Sequence, residues 1–451
     1  SGFYATFIGK QQHEEYVDNN RIPKNFVNGV ESLNFLDPKA QFNYKWCLYS
    51  AGHAELDLNK DSPKEDMFRF QIGKGVWEGD WKDPNCPKAS KKRELVLKWM
   101  DALMDYGMIL DIPAWVSRSP AGQKATGIRK YEDALAATDI NNQYFMKNTT
   151  GSCKFLNVLQ GENHTDAHGW YEHMKHYSDP KQFPETHFRG WSMGGQNMCD
   201  IHLVLKRLVA LRFDGLLEKG KHDVMHFLGT SKLEWATLLT DIQRAVRKYH
   251  NENFTVTFDC ASPFLATANG QIYCELETED RHKWVYRMVP SIDNKSFAND
   301  NTKFAEAFVR EGKHSSFLDS PLTQDLTAKD ICIYAPGDLN KVGKEGRTSW
   351  DSFSYAIMMG HNVWMHINAV QEANRQYDKG KIPAMLINET FDRIMFRDIV
   401  EAIFATDDRD IANAVIDEYS KYWDSIIGTR GNTGKRIVNA QTKFTDLFEE
   451  A

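Results

Sequence analysis

The chain has 451 residues, 41% of them hydrophobic, and a formal net charge of -7, which suits one large α/β barrel with appendages or two or three smaller domains. An acidic balance excludes a grip on nucleic acid through an overall basic field, so any such contact has to come from a local patch. No apolar run approaches the roughly 18 residues of a membrane span and the first residues lack the features of a signal peptide, so a soluble, cytoplasmic protein with no membrane partner is expected. Ser1-Gly2 without a Met reads as an expression remnant.

Residues 1–44 yield no assignable element, and in the first 90 residues only Lys45 to Tyr49 reads as a strand, before the turn Ser50-Ala51-Gly52. From about residue 91, helical periods alternate with short apolar, β-branched runs, the pattern of a parallel sheet wrapped by helices. Lys91 to Tyr106 has helical spacing with Gly107 as its stop, and Met108 to Asp111 reads as a buried strand closed by Pro113. Further strands are predicted at Phe155 to Leu159, Phe188 to Met193, Val224 to Leu228 and Phe254 to Phe258, with helices over Cys199 to Leu217 and Leu233 to Tyr249. Residues 270–340 read as an insertion of irregular and short-strand character. Trp350 to Gln376 reads as a helix interrupted near Gly360-His361-Asn362, and residues 381–451 as a helical C-terminal extension.

Polar residues fall where such strands end: Asp111, Gln160, Gly194-Gly195, Gly229 and Asp259. Each taken alone is an ordinary strand-terminating residue or cap. In a β/α barrel, however, the C-terminal ends of the strands carry the chemistry, so the set marks a candidate site.

The run Thr257 to Tyr273, TFDCASPFLATANGQIY, resembles the signature of the tRNA-guanine transglycosylase superfamily, in which a strand ends Phe-Asp-Cys and is followed by x-x-Pro and later Asn-Gly-x-x-[FY]. Asp111 after its apolar strand, Val158-Leu159-Gln160-Gly161, Gly190-Trp191-Ser192-Met193-Gly194-Gly195 and His226-Phe227-Leu228-Gly229 fall in the family's order, so the resemblance spans roughly residues 45 to 380. It implies an α/β fold: a (β/α)8 TIM-type barrel over residues 45–380, carrying the insertion, between the N-terminal segment 1–44 and the extension 381–451. It also implies Asp259 as the catalytic nucleophile. Guanine offers N1-H and an exocyclic amine as donors and O6 as acceptor. By resemblance Asp111 takes the donors, Gln160 and the Gly195 N-H take O6, and Gly194 and Gly195 let the backbone approach the ring. Ser50 and His53 fall in the base-binding loop, His53 where the family stacks an aromatic, with Leu228 towards the other face.

Three departures qualify the resemblance. The family loop Asp-Ser-Gly-Gly aligns with Tyr49-Ser50-Ala51-Gly52, which leaves Tyr49, or a neighbour such as His53, Glu55 or Asp57, as the acid or base. The family's zinc ligands would fall at Asp330, Cys332, Ala335 and His366, so only Cys332 and His366 remain. None of the seven cysteines forms a C-x-x-C pair. A structural zinc takes about four ligands, so the site is expected to be lost and no cofactor is expected. The anticodon-gripping arginines fall at Leu265 and Ala268, which removes charge-assisted RNA contacts.

The pattern is therefore most similar to the phage-type DNA 7-deazaguanine transglycosylases, which exchange guanine in DNA for a 7-deazaguanine such as 7-cyano-7-deazaguanine and so shield phage DNA from restriction. The implied partners are guanine-containing DNA, single-stranded or with its base flipped out, and the free 7-deazaguanine base. Homo-oligomerisation stays open. A tRNA-guanine transglycosylase with altered RNA recognition and a non-catalytic nucleic-acid-binding subunit are the alternatives. Lys88, Lys91, Lys92 and Arg93, with Arg244, Arg247 and Lys248, are the candidate phosphate contacts.

Overall fold

The computed structural model describes residues 78–260, 262–268, 270–290, 299–310, 319–331, 352–389 and 393–426, together with the backbone of 48–50. The described residues fall into two compact units, one within Tyr44–Asp259 and from Ala384 onward, the other within Cys260–Pro383. None of the described helices is long and apolar enough to cross a membrane.

The first unit is α/β. In chain order it holds β1 (Leu48–Ser50), α1 (Pro87–Leu103), β2 (Tyr106–Met108), α2 (Pro120–Thr126), α3 (Tyr131–Asn148), β3 (Lys154–Leu159) and α4 (His164–Met174). There follow β4 (Gly190–Met193), α5 (Ile201–Phe213), β5 (Val224–Phe227), α6 (Leu233–Tyr249) and β6 (Thr255–Phe258). All six strands are parallel and pair in sequence order, β1-β2-β3-β4-β5-β6, as in part of a TIM-type barrel.

Local chemistry sets the boundaries. Pro87 opens α1, where its missing N-H costs nothing. Asn163 and Asp200 each accept a hydrogen bond from a first-turn N-H, capping α4 and α5 just beyond the C-terminal ends of β3 and β4. The strand expected over Met108 to Asp111 begins two residues earlier and ends three earlier, at Met108, and Gly107 sits inside it rather than ending the helix before it. Beyond β2 the chain stays buried: the Ile109 N-H still donates to the Leu156 carbonyl of β3, and the Ile112 N-H turns to Thr138 Oγ1. Trp170, Trp191, Phe145, Phe188, Phe227 and Trp235, all fully buried, fill the space between sheet and helices.

In the second unit, α7 (Ser262–Ala268) leads into an antiparallel hairpin of β7 (Gln271–Glu277) and β8 (Val285–Pro290). Two short helices, α8 (Phe304–Arg310) and α9 (Ala328–Ile331), precede the long α10 (Ser352–Asp378). The interruption expected at Gly360-His361-Asn362 is absent, and α10 runs straight through it. His361 and Asn362 are polar there because they staple the hairpin. Asn362 accepts from the Tyr273 N-H and donates to Thr267 Oγ1 and the Gln271 carbonyl, while His361 Nε2 meets the Tyr273 carbonyl at 2.8 Å.

The first unit closes with α11 (Phe396–Ala405), α12 (Arg409–Glu418) and α13 (Ser420–Trp423), whose apolar faces bury Ile399, Val400, Ile403 and Ile416.

Candidate active site

Alternation along a strand puts every second side chain on one face. Register aligns Val158 of β3 with Ser192 of β4, Ser192 with His226 of β5, and His226 with Thr257 of β6. Two residues further along each strand, on the same face at the C-terminal edge, come Gln160, Gly194, Leu228 and Asp259. A polar row, Ser192-His226-Thr257, thus lies one layer beneath the residues that the sequence singles out.

Asp111 and Gln160 form the buried part of the site, 4% and 5% exposed. Gln160 Nε2 donates to Asp111 Oδ2 at 2.7 Å, which uses one amide hydrogen and leaves a second to donate elsewhere. Burial pushes the Asp111 carboxyl up to about 6, against the lowering influence of the Gln160 bond and of its own N-H. Asp111 therefore carries most of its charge at neutral pH and loses it just below.

The glycine pair is shaped to this amide. A Cβ on Gly194 would lie 2.7 Å from Gln160 Nε2. A Cβ on Gly195, whose φ is +55°, would lie 2.4 Å from the Gly161 carbonyl and 3.0 Å from Gln160 Oε1. Asn197, which the sequence did not flag, is fully buried and donates through Nδ2 to the Leu159, Gln160 and Gly194 carbonyls at 3.1–3.3 Å. It ties together the two loops that present the pair, and no sequence signal separates such an Asn from an ordinary turn residue.

Asp259 follows β6 directly, and its side chain is half-exposed. Its Oδ1 accepts from the Gly229 N-H at 3.0 Å, and its own N-H reaches the Phe227 carbonyl at 3.4 Å. Beneath it, His226 is 1% exposed, with Nδ1 2.9 Å from Thr257 Oγ1 and Nε2 3.3 Å from Asp259 Oδ1. That last contact is within charge-pairing distance but off the hydrogen-bond axis. The sequence contained His226 only as part of a strand-end motif, because its neighbour across the sheet is set by register.

Other expected residues are placed less fully. Tyr49 and Ser50 lie in β1 with their backbone alone described, beside Gly107 and Met108 of β2. His53 and Cys332 lie outside the described residues, and so do the side chains of Leu265 and Ala268. In the second unit His366 is buried, its Nε2 3.7 Å from Cys260 Sγ and 3.4 Å from the Tyr286 hydroxyl, with its ring stacked on Tyr286. Burial lowers His366 to about 4, so it is neutral. Cys260 and His366 supply two donors where a structural zinc takes about four. Among the described residues no group of three or more His, Cys, Asp or Glu is arranged to hold a metal ion.

Several of the candidate phosphate contacts are engaged within the chain. Arg93 is buried and donates to Asn141 at 2.6 Å, and Lys88 pairs with Glu78. Arg244, Arg247 and Lys248 lie towards the C-terminal end of α6, at the sheet edge away from Asp259, because a crossover helix runs back against its strands. There Arg247 donates to the Phe254 carbonyl and Lys248 pairs with Glu401. At the Asp259 edge, Arg118 pairs with Glu162 at 2.6 Å.

No protein-family model matches the chain, and no curated protein matches it at a significant level.

Proposed function

We propose that the protein is a guanine transglycosylase that exchanges guanine in DNA for a 7-deazaguanine, with Asp259 as nucleophile. The observation that carries this reading is the shared edge: a buried carboxylate–amide pair, Asp111 and Gln160, beside the Gly194-Gly195 backbone, with the half-exposed Asp259 carboxylate at the end of β6 on the face that bears Gln160. Six parallel strands in sequence order support a TIM-type (β/α)8 barrel as its frame.

The chemistry needs those groups. Ionised Asp111 accepts from guanine N1-H and the exocyclic amine, while the second Gln160 amide hydrogen and a glycine N-H donate to O6. An Asp259 oxygen attacks C1′ as the C1′–N9 bond breaks, and its electron pair leaves with the base, which takes a proton. The N9 of the incoming 7-deazaguanine then attacks C1′ and loses its proton, and the C1′–O bond breaks to restore the Asp259 carboxylate. DNA rather than tRNA follows from Leu265 and Ala268 standing where RNA-gripping arginines are expected. Modified DNA would resist restriction, and the reaction belongs in the cytoplasm.

The test is incubation with guanine-containing DNA and, separately, tRNA, each with 7-cyano-7-deazaguanine, followed by digestion to nucleosides and mass analysis. Modified deoxynucleoside from the wild type and none from Asp259→Asn is the expected result. Product from tRNA alone overturns the DNA assignment. Product from neither, with DNA still bound, favours a non-catalytic subunit.

A further inference from the structure

We propose that His226, set by Thr257, is a positioning residue for Asp259 whose Nε2–H assists the step in which the carboxylate is released from the sugar. This deepens the transglycosylase reading and rests on it. His226 and Thr257 are register partners in β5 and β6, so their contact is built into the sheet. Buried Nδ1 lies 2.9 Å from Thr257 Oγ1. A hydroxyl that donates to Nδ1 leaves the ring proton on Nε2, the nitrogen that faces Asp259 Oδ1 at 3.3 Å. On its other side the row continues into Ser192 of β4, also buried.

Oδ1 thus has two N-H groups in reach, one from Gly229 at 3.0 Å and one from His226. The His226 contact is misaligned at rest, as such contacts often are before substrate binds, and it tightens as the carboxylate turns towards C1′. The two halves of the exchange use these donors differently. In the first, the carboxylate loses charge as its bond to C1′ forms, so donors on Oδ1 help little. In the second, N9 of the incoming base attacks C1′ and the C1′–O electron pair returns to Asp259. Negative charge then develops where Gly229 N-H and His226 Nε2–H already point.

The test follows the covalent adduct between the protein and a guanine-containing oligonucleotide by denaturing electrophoresis, first as it forms and then as 7-cyano-7-deazaguanine resolves it. In His226→Leu, resolution should slow by about 10²-fold, the usual loss for one such donor, while formation changes by only a few-fold, so adduct accumulates. His226→Gln, which places an N-H near the Nε2 position, should restore most of the rate. Equal slowing of both steps, or none, overturns the proposal. A second readout needs no turnover: ring nitrogen shifts should show the Nε2–H tautomer in wild type and a mixture in Thr257→Val. The Nδ1–H tautomer in wild type overturns the proposal. If the wild type forms no adduct, the transglycosylase reading fails, and the ring shifts still report whether Thr257 fixes the proton on Nε2.

Discussion

Asp111 is where stability and function pull apart. Its folded carboxyl titrates near 6 instead of 3.8, chiefly through burial. A raised carboxylate gives the fold stability that is complete below about 3.8 and is lost as pH rises through 6. At pH 7 the charge therefore costs up to about 3 kcal/mol, at 1.36 kcal/mol per unit. Asp111→Asn should stabilise the ligand-free protein at pH 7 by about 1–3 kcal/mol, with a gain that shrinks towards pH 4. The same change should weaken binding of 7-cyano-7-deazaguanine by about 10²-fold or more, since two bonds to a charged acceptor are lost. Wild-type affinity should likewise fall as pH drops through 6. Thermal melts at pH 4 and 7 with titration calorimetry check each part, and a destabilised Asn variant at pH 7 contradicts the account. Gly194→Ala probes the same amide from outside: its Cβ would lie 2.7 Å from Gln160 Nε2 and 3.2 Å from the Leu159 carbonyl, so base affinity and melting temperature should both fall.

Among the elements, the end of α11 is pinned by one side chain from α5. Arg212, 8% exposed along its side chain, donates to the Phe404 and Thr406 carbonyls at 2.9 and 2.8 Å and pairs with Asp407. It thereby satisfies backbone groups at the end of α11 that have no helical partner. Arg212→Met should cost about 2–4 kcal/mol, because two carbonyls are left without a donor. Lysine should recover less than half of that, lacking the planar fork. Urea titration checks both, and a methionine variant as stable as wild type would show that Arg212 does not pin α11. Arg212 lies at the end of α5 away from Asp259, so exchange per folded molecule should not change. Elements of this kind were legible in the sequence where local pattern decides them. Leu233–Tyr249 matches its predicted bounds because its apolar residues recur at helical spacing. Gly107 misled because a helix stop and a strand glycine look alike without the neighbouring strand, and His361-Asn362 misled because a buried staple looks like a break. The strand-end residues Asp111, Gln160 and Asp259 were legible as polar residues closing apolar runs. The Ser192-His226-Thr257 row and the Asn197 tie were not, since both depend on how strands and loops lie across one another.

For the whole molecule, the transglycosylase proposal together with site depth and net charge predicts which form of DNA should react faster. A base that meets Asp111 and Gln160, at 4% and 5% exposure, has to leave its stack completely. Extracting it from a duplex costs a few kcal/mol, and the cost falls to near zero when the strand is already single. A chain of net charge -7 supplies no overall attraction to offset that cost, and the basic clusters of α1 and α6 are largely engaged in internal bonds or lie at the far edge of the sheet. The expected order of kcat/KM is therefore single-stranded DNA first, then a duplex with the target guanine mismatched, then a fully paired duplex, with about 10²-fold between the first and last, as a cost near 3 kcal/mol implies. Rates on three oligonucleotides of one sequence context, measured with the same incoming base, check the order. Equal rates on all three would mean that the protein pays the extraction cost through contacts other than the base site, and a faster duplex would place a duplex-gripping surface at the Asp259 edge of the sheet.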